Sequence, residues 1–369
     1  MGIASDVFFS DMRTRSNGSL LSKLRRLVVA AGIEKIDMNK KFVAVKIHFG
    51  EPGNMSYLRA NYAKVIADII KERGGIPFLT DCSTLYVGRR KNAVEHLDAA
   101  YENGFSPFST GCHVIIGDGL KGDDDVDVPV DGVCLKVAKI GRAIVDADVI
   151  ITMTHFKGHE LMGFGGAIKN LGMGCASRRG KMELHSSNKP SVDGKECTGC
   201  GFCVSKCAHS AITIRNKKAK IDEKRCAGCG RCISMCRYDA INVNMDQAVD
   251  ILCRRTAEYA AASVIGKPNF HISFVVDVSP FCDCYGENDV PVVPDVGMFA
   301  SFDPVALDVA CADAVNAQPV VRESILHGRD CRKKDVFACV HPVTDWKAAT
   351  EHAERIGLGV RGYKIREIE

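Results

Sequence analysis

Short apolar runs alternate with amphipathic stretches along most of the chain. Runs rich in Val, Ile and Phe predict buried strands at residues 42–47, 76–80, 114–116, 149–153 and 271–276. Between these runs, apolar residues recur at the spacing of a helix, as they do from Leu58 to Ile70. Short buried strands that alternate with amphipathic helices are typical of an α/β fold. We therefore predict an α/β protein with a largely parallel sheet and helices on both faces.

Capping chemistry predicts where two of the helices begin. Ser56 precedes the first helical pattern and is expected to be its N-cap, with Gly74 at its end. Asp303 followed by Pro304 predicts the start of a later helix, because the carboxylate accepts free N–H groups and proline has none to satisfy.

The cysteines change this picture, because 18 of the 369 residues are cysteine and eight of them lie close together. They form two runs of the pattern C-x2-C-x2-C-x3-C, and the second run repeats the first with an offset of 29 residues. The repeat extends to glycines between the cysteines and to the Ala-Ile pair that follows each run. A repeat this short predicts two copies of one small unit related by a pseudo-twofold axis.

This spacing indicates two [4Fe–4S] clusters. Three thiolates in one loop can hold three corners of a cubane, and the fourth cysteine of each run ligates the other cluster. We assign one cluster to Cys197, Cys200, Cys203 and Cys236, and the other to Cys226, Cys229, Cys232 and Cys207. The segment resembles a bacterial two-cluster ferredoxin, although Ala208 and Arg237 replace the proline after the fourth cysteine.

Structural zinc is the alternative reading of these cysteines. A tetrahedral zinc site favours two short cysteine knuckles per ion, whereas here a third thiolate is crowded into each loop. Two such triple loops favour the iron–sulfur interpretation.

The cysteine-rich segment interrupts the α/β pattern. We predict an α/β domain whose first part spans residues 1–187, a ferredoxin-like module at 188–248, and the continuation of the α/β domain at 249–369. Two separate α/β lobes on either side of the module remain the alternative.

A glycine-rich segment follows the strand predicted at 149–153 and therefore leaves the carboxyl edge of the sheet, where α/β domains bind ligands. The candidate catalytic residues are His155, Lys157, His159 and Lys169, which carry groups that bind anions or move protons. The candidate ligand-binding residues are Gly163, Gly165, Gly166 and Asn170, where a loop enters a helix whose N–H groups attract anions. A glycine-rich structural turn with solvated basic residues is the alternative.

A second segment with Cys282 and Cys284 also follows a predicted strand. The two cysteines are candidates for a further metal or for the route to a substrate, with two packed thiols as the alternative. His48 and Asp81 stand at other strand ends and are expected to join the same cleft. Seven of the remaining cysteines are expected to pack as small hydrophobic residues: Cys112, Cys134, Cys175, Cys253, Cys311, Cys331 and Cys339.

Charge and hydropathy limit the partners. A net charge of +4 with no aromatic and basic interleaving does not favour nucleic acid. No apolar run approaches the roughly 20 residues that span a membrane, and the start of the chain does not read as a secretory signal. A cytoplasmic protein is therefore expected, in which metal or redox chemistry is a better explanation of the cysteines than disulfides.

Over most of its length the chain resembles the iron–sulfur-centre proteins of domain-of-unknown-function family 362. The motifs that carry the resemblance are His155-x-Lys157-x-His159, Gly163-Phe-Gly-Gly-Ala-Ile-Lys-Asn170, Cys282-Asp-Cys-Tyr-Gly286 and Ser301-Phe-Asp-Pro-Val-Ala306. The resemblance implies a two-cluster ferredoxin insert in an α/β body, and it implies no particular reaction.

The leading functional hypothesis is an iron–sulfur oxidoreductase. Electrons from a redox partner protein or a low-potential carrier would pass through two [4Fe–4S] clusters to a small anionic ligand in the α/β cleft. One alternative is a non-enzymatic carrier that hands electrons or clusters to another protein, and a second is an anion-binding domain with structural clusters.

Overall fold

The computed structural model describes residues 4–14, 18–86, 88–185, 189–226, 228, 230, 232–233, 236–242, 248–329, 331 and 335–369. Its strands are β1 (Ser5–Asp11), β2 (Phe42–Ile47), β3 (Ile76–Asp81), β4 (His113–Ile116), β5 (Asp125–Pro129), β6 (Val137–Gly141), β7 (Val149–His155), β8 (Lys157–His159), β9 (Gly163–Gly165), β10 (Ser191–Val192), β11 (Ile212–Arg215), β12 (Lys218–Ile221), β13 (Ile241–Asn242), β14 (Asn269–Val275), β15 (Gly297–Ser301) and β16 (Tyr363–Glu367).

Its α-helices are α1 (Leu20–Ala30), α2 (Ala60–Glu72), α3 (Ala93–Glu102), α4 (Pro107–Thr110), α5 (Arg142–Asp146), α6 (Ala167–Cys175), α7 (Arg178–His185), α8 (Phe202–Lys206), α9 (Val249–Val264), α10 (Pro304–Asn316), α11 (Val336–Val340) and α12 (Lys347–Arg355). No helix among the described residues is long and apolar enough to cross a membrane.

One large sheet organises the α/β part of the chain. Its eight strands lie in the order β16-β1-β15-β14-β7-β2-β3-β4. Only β15 pairs antiparallel to its neighbours, so the other seven strands share one direction. Strands from before and after the cysteine-rich segment belong to this same sheet. The prediction of an α/β fold with a largely parallel sheet is confirmed.

Alternating side chains of the central strands bury both faces of the sheet. Val43 and Val45 of β2 pack with residues of α1 and α2 on one face. Ala44, between them, packs with residues of α6 and α9 on the other face. This alternation follows from the pleat of a strand, and it explains why strands buried on both faces read as continuous apolar runs.

The two predicted helix starts fare differently. Asp303 is the N-cap of α10, and its Oδ1 accepts the N–H groups of Val305 and Ala306, as predicted. The prediction for Ser56 is wrong, because α2 begins at Ala60. The Ser56 hydroxyl instead donates to Asn54 Oδ1 at 3.0 Å, so the residue closes a turn before the helix.

The structure also corrects one prediction about the cysteines outside the two runs. Cys331 and Cys339 were expected to pack as separate thiols, but they are joined by a disulfide. They lie eight positions apart in the sequence, and Cys339 belongs to α11.

Candidate functional site

The cysteine-rich segment repeats in space as it does in sequence. Antiparallel strands β10 and β13 pair Ser191 with Asn242, and strands β11 and β12 pair Thr213 with Lys220. Adding 29 to Ser191 gives 220, and subtracting 29 from Asn242 gives 213, so the two ladders exchange under the repeat. Gly199 and Gly228 also share a positive φ, at 71° and 69°. The two copies are therefore related by a pseudo-twofold exchange.

Four cysteines line one cavity within this segment. They are the four that sequence spacing assigns to the first cluster: Cys197, Cys200, Cys203 and Cys236. Backbone N–H groups point at two of the sulfur atoms, since Ala219 N lies 3.3 Å from Cys197 Sγ and Ala240 N lies 3.3 Å from Cys236 Sγ. Such N–H donors stabilise thiolate sulfur and tune a metal group bound to it.

The second set of cysteines shows the same pattern where it is described. Ala211 N donates to Cys207 Sγ at 3.3 Å, which is the counterpart of the Ala240 contact 29 residues later. Gly228 N donates to Cys226 Sγ at 3.4 Å. Cys229, which spacing assigns to the same cluster, lies outside the described residues.

Helix α7 contacts both the cysteine-rich segment and the α/β domain. A Cβ built on Gly230 would come within 3.0 Å of the Arg178 side chain and 3.3 Å of the Met182 side chain, so the second cysteine loop packs directly on this helix. Met182 and Leu85 share an apolar cluster with Cys197 and Cys203. Lys181 and His185, which share the face of this helix with Arg178 and Met182, line a pocket.

That pocket opens at the carboxyl edge of the large sheet, where β2, β3 and β7 end. Its empty volume is about 860 Å³, part of it open to solvent. Five cationic side chains line it against only two carboxylates, Asp81 and Glu160. The cations are Lys46, Arg90, Lys157, Lys169 and Lys181. Carboxylates pair with Lys46, Arg90 and Lys157, so Lys181 is the cation of the pocket wall that most favours an anionic ligand.

His155 ends β7 and anchors a buried charge cluster. Its Nδ1 lies 2.8 Å from Asp283 Oδ1, and its Nε2 lies 2.9 Å from the Val276 carbonyl oxygen. Both ring nitrogens thus face acceptor oxygens, and both contacts are satisfied only when each nitrogen carries a hydrogen. In this arrangement His155 positions Asp283; a role in catalysis stays a prediction.

Lys157 and Lys169 reach the pocket on either side of Gly165. Lys157 Nζ lies 3.1 Å from Asp283 Oδ2, and Lys169 Nζ lies 2.9 Å from Cys282 Sγ. A Cβ on Gly165 would lie 3.4 Å from both lysine side chains, so both lysines pass beside this glycine. Burial raises the pKa of Asp283, but His155 and Lys157 outweigh it and hold this pKa below its usual range.

His159 presents one defined ring atom to the pocket. Its Nδ1 accepts N–H groups from Leu161 at 3.1 Å and from Met162 at 3.2 Å, which assigns the hydrogen of the neutral ring to Nε2. Burial lowers the pKa of His159 to about 4, so the ring is neutral near pH 7. The neighbouring Glu160 accepts the Tyr285 hydroxyl at 2.9 Å.

Asn170 ties the strand ends together from helix α6. Its Oδ1 accepts from Lys46 Nζ at 2.8 Å, and its Nδ2 donates to the Met153 carbonyl oxygen at 3.1 Å. Lys46 also pairs with Asp81 at 2.9 Å. These contacts fix the position of the lysine at the pocket wall.

The free helix N-terminus expected after Gly166 is occupied by a protein carboxylate. Asp308 of α10 accepts the N–H groups of Ala167 at 2.6 Å and Ile168 at 2.9 Å. A Cβ on Gly166 would lie 2.3 Å from Asp308 Oδ1, so the glycine admits this carboxylate. The expectation that Gly166 leads into a free, anion-binding helix end is therefore corrected, because the Asp308 carboxyl group accepts these N–H groups. Gly163, with a φ of +78°, sits at the tip of the β8–β9 hairpin against Trp346.

Cys282 and Cys284 come together with His48, as the shared strand edge predicts. The two sulfur atoms lie 3.0 Å apart, and Cys284 Sγ lies 3.5 Å from His48 Nε2. The three ligand atoms form a group of a size that suits a metal ion. However, Arg90 Nη1 also lies 2.9 Å from His48 Nε2, and Lys169 contacts Cys282, so cations already meet these donor atoms.

A second candidate metal group lies away from the pocket and consists of Cys134, Glu258 and His352. Glu258 accepts N–H groups from Val133, Cys134 and Leu135, and His352 Nε2 lies 2.8 Å from its Oε1. The carboxylate is thus fully used in holding the loop before β6. This group reads as a structural anchor.

Sequence reasoning missed several pocket residues. Arg90, Lys181 and His185 line the pocket but carry no strand-end or glycine signal. His185 Nδ1 is buried and has no hydrogen-bond partner within the described parts of the chain. Burial lowers the pKa of His185 to about 3, so a neutral ring with one unsatisfied nitrogen faces the pocket. An unsatisfied buried nitrogen is a sign of a missing ligand or water.

Comparisons with solved structures find distant likenesses. The structure of the lactate racemase apoprotein from Thermoanaerobacterium thermosaccharolyticum matches with a TM-score of 0.35 and 10% identity, over 74% of this chain and 51% of that one. A protein structure from Thermotoga maritima matches with a TM-score of 0.38 and 14% identity, over 91% and 58%. The chain thus spans between half and three fifths of these structures.

Sequence comparison is more direct. No curated protein matches the chain. The profile of the domain of unknown function family DUF362 matches residues 43–313, which include the pocket strands, the glycine-rich segment, both cysteine runs and Cys282–Cys284. The chain belongs to the domain of unknown function family DUF362.

Proposed function

We propose that the protein is a cytoplasmic iron–sulfur oxidoreductase. It takes electrons from a low-potential carrier or redox partner protein and passes them through two [4Fe–4S] clusters to an anionic ligand in the α/β pocket. The observation that carries the proposal is one cavity lined by three cysteines of the first run and the last cysteine of the second run: Cys197, Cys200, Cys203 and Cys236. A two-cluster ferredoxin requires this arrangement, because the fourth cysteine of each run ligates the other cluster.

The cysteine-rich segment has the donors that such a group needs. Each run contributes sulfur ligands, and backbone N–H groups address the sulfurs of Cys197, Cys207, Cys226 and Cys236. When bound, a [4Fe–4S] cluster supplies reversible electron transfer at a potential set by these hydrogen bonds and by burial. A predominance of neutral N–H donors suits an anionic sulfur group better than an isolated cation.

The pocket supplies binding and protons. Lys181 Nζ donates to the Ala176 carbonyl oxygen at 2.6 Å, and carboxylates hold Lys46, Arg90 and Lys157. Lys181 is therefore the cation best placed to pair with a ligand anion. His159 Nε2–H donates to the ligand, and the unsatisfied His185 Nδ1 accepts from it. The two histidines bind a ligand that carries both an acceptor and a donor.

Helix α7 couples the two regions. It contacts the second cysteine loop through Arg178 and Met182 and lines the pocket through Lys181 and His185. Electrons that reach the ligand pass beside one face of this helix, because the four side chains lie on the same face. The proposed partners include neither a membrane nor a nucleic acid.

The test begins with anaerobic purification and mass spectrometry of small molecules released on denaturation. Lys181→Met is expected to lower the amount of retained anionic ligand at least tenfold, whereas the exposed Lys364→Met leaves it unchanged. A redox titration followed by electron paramagnetic resonance should show reversible reduction of the bound clusters, with a shift when the released ligand is added back. The proposal fails if the protein lacks iron, or if His155→Ala, Lys169→Ala and Lys181→Met all retain the ligand fully.

A further inference from the structure

The segment that follows β14 places two sulfur atoms beside the pocket. Cys282 is fully buried, while Cys284 is partly buried and lines the pocket wall. Their Sγ atoms are 3.0 Å apart, and Tyr285 N donates to the Cys282 carbonyl oxygen at 3.2 Å, so the two cysteines share one tight turn. A small movement of one side chain brings the sulfurs to bonding distance.

The surroundings stabilise one sulfur as a thiolate. Lys169 Nζ contacts Cys282 Sγ at 2.9 Å, and the positive charge of Lys157 also acts on this sulfur. The Cys284 hydrogen bond lowers the pKa of Cys282 to about 6, helped by Lys169 and opposed by burial. Cys284 is shifted the other way, because the same hydrogen bond and burial raise its pKa. One sulfur is thus a thiolate and its neighbour a thiol, as in a reactive dithiol.

The alternative occupant of this spot is a metal ion held by Cys282, Cys284 and His48. The donor atoms are already used, because Lys169 contacts one sulfur and Arg90 contacts His48 Nε2. Burial and Arg90 also lower the pKa of His48, which reflects the positive charge around it. A further cation is disfavoured where two cations meet the ligand atoms.

We propose that Cys282 and Cys284 form a thiol–disulfide redox couple whose substrate is an anionic organic disulfide bound in the pocket. One thiolate, one thiol and the substrate disulfide become one protein disulfide and two products. Cys284, which lines the pocket, passes its proton to the Cys282 thiolate and attacks the substrate's S–S bond, which releases the first product thiolate. Cys282 Sγ then forms the Cys282–Cys284 bond and releases the second product thiolate, and the one cysteine proton with one proton from solvent converts both products to thiols.

The couple is restored by two electrons and two protons. Two electrons that arrive singly through the cysteine-rich segment reduce the protein disulfide to two thiols; this regeneration step rests on the proposed function. The disulfide exchange itself does not need the clusters. Lys181, which lines the pocket and which the proposed function assigns to the ligand anion, explains the choice of an anionic substrate.

The first experiment tests the couple alone. Purified protein is treated with oxidised glutathione, which is an anionic disulfide, then denatured and alkylated, and the peptide that contains residues 282–284 is weighed. It should carry two alkyl groups before oxidation and none after, while Cys112 stays alkylated throughout. Cys282→Ser should retain a mixed disulfide between Cys284 and glutathione, and Cys112→Ser should behave as the parent.

The charge of the disulfide substrate and the metal content of the protein provide two further tests. Oxidised glutathione should oxidise the pair at least about tenfold faster than the neutral bis(2-hydroxyethyl) disulfide, because the pocket concentrates anions. Full alkylation of both cysteines after oxidised glutathione would overturn the proposal. So would a bound zinc or other non-iron metal that Cys284→Ser loses and Cys112→Ser keeps.

The second experiment separates the couple from the clusters. Protein with an oxidised pair is mixed with reduced methyl viologen, a one-electron donor, and two thiols should return. Cys226→Ser, which removes a predicted cluster ligand, should slow this return at least tenfold while dithiothreitol still reduces the pair. If dithiothreitol restores the thiols and methyl viologen does not in protein that holds clusters, the coupling is contradicted while the couple stands.

Discussion

The pocket of the α/β domain and the cavity of the cysteine-rich segment pair their polar groups in different ways. In the pocket, the buried Asp283 is matched by His155 and Lys157, and Lys46 is matched by Asp81. In the segment, sulfur atoms face a cavity and accept backbone N–H groups. These charged groups of the pocket are paired with other side chains, whereas the sulfurs of the segment meet backbone N–H groups.

This difference predicts different sources of stability. The large sheet buries several apolar clusters on both faces, so the domain has a core of its own. The segment has one small apolar cluster, to which several cysteines belong. Small units of this kind often need a bound metal group to remain folded.

Removal of iron gives the largest expected contrast between the two regions. After chelation, backbone amides of residues 191–242 should exchange hydrogen on the order of 1,000-fold faster, because metal binding energy is folding energy in such a unit. Amides of β2, β3 and β7 should change little. Hydrogen exchange with mass spectrometry measures both in one sample. Equal acceleration in the sheet would break the distinction.

Asp283→Asn tests the pocket network. Because Asp283 is fully buried and its charge meets His155 and Lys157, its loss should lower the free energy of unfolding by about 3 kcal/mol. Asp6→Asn is the matched control, since its pair with Arg366 is exposed and should be worth less than about 1 kcal/mol. Denaturant unfolding measures both. Similar losses of stability in the two variants would contradict the stabilising pairing of Asp283 with His155 and Lys157.

The pocket should also respond to acid. Burial lowers the pKa of His159 from 6.5 to about 4, so the unfolded chain takes up a proton that the folded chain refuses as the pH falls. The contribution of the neutral His159 to the free energy of unfolding is therefore present above pH 6.5 and is lost as the pH falls towards 4. The loss amounts to about 2 kcal/mol between pH 7 and pH 5. His159→Gln should flatten the pH dependence by this amount. The exposed His113→Gln should leave it unchanged.

Gly201→Ala gives the smallest expected effect and probes the cysteine-rich segment. Gly201 has a φ of +76° and nothing within 4 Å of a Cβ built on it, so alanine meets conformational strain without a clash. The left-handed conformation costs about 1 kcal/mol in a residue with a side chain. The midpoint of cluster loss in denaturant should shift accordingly. An unchanged midpoint would mean that this loop does not need its observed conformation.

Much of the fold could be predicted because the signals are local. The strand at 42–47 agrees with β2, and Asp303-Pro304 marks the start of α10, since apolar runs and caps act over a few residues. The prediction that Ser56 caps α2 was wrong because its hydroxyl donates to the neighbouring Asn54. Propensity alone does not decide between a turn and a cap.

In the candidate site, too, the features that follow from local sequence patterns could be predicted and the others could not. The cysteine spacing is a local pattern, and four of its members line one cavity. The pocket is assembled by contacts between residues far apart in sequence: His155 meets Asp283 across 128 positions, and Ala167 meets Asp308 across 141. No local sequence pattern predicts that Asp308 accepts the free N–H groups at the start of α6. Such pairings depend on the topology of the sheet, which the sequence pattern leaves open.

The central claim, that the cysteine-rich segment holds two [4Fe–4S] clusters, is tested most directly by composition. Anaerobically purified protein should contain about eight iron atoms and eight acid-labile sulfides per chain, and reduction should produce the electron paramagnetic resonance signal of [4Fe–4S]⁺. About two zinc ions per chain, with no labile sulfide and no such signal, would contradict the account.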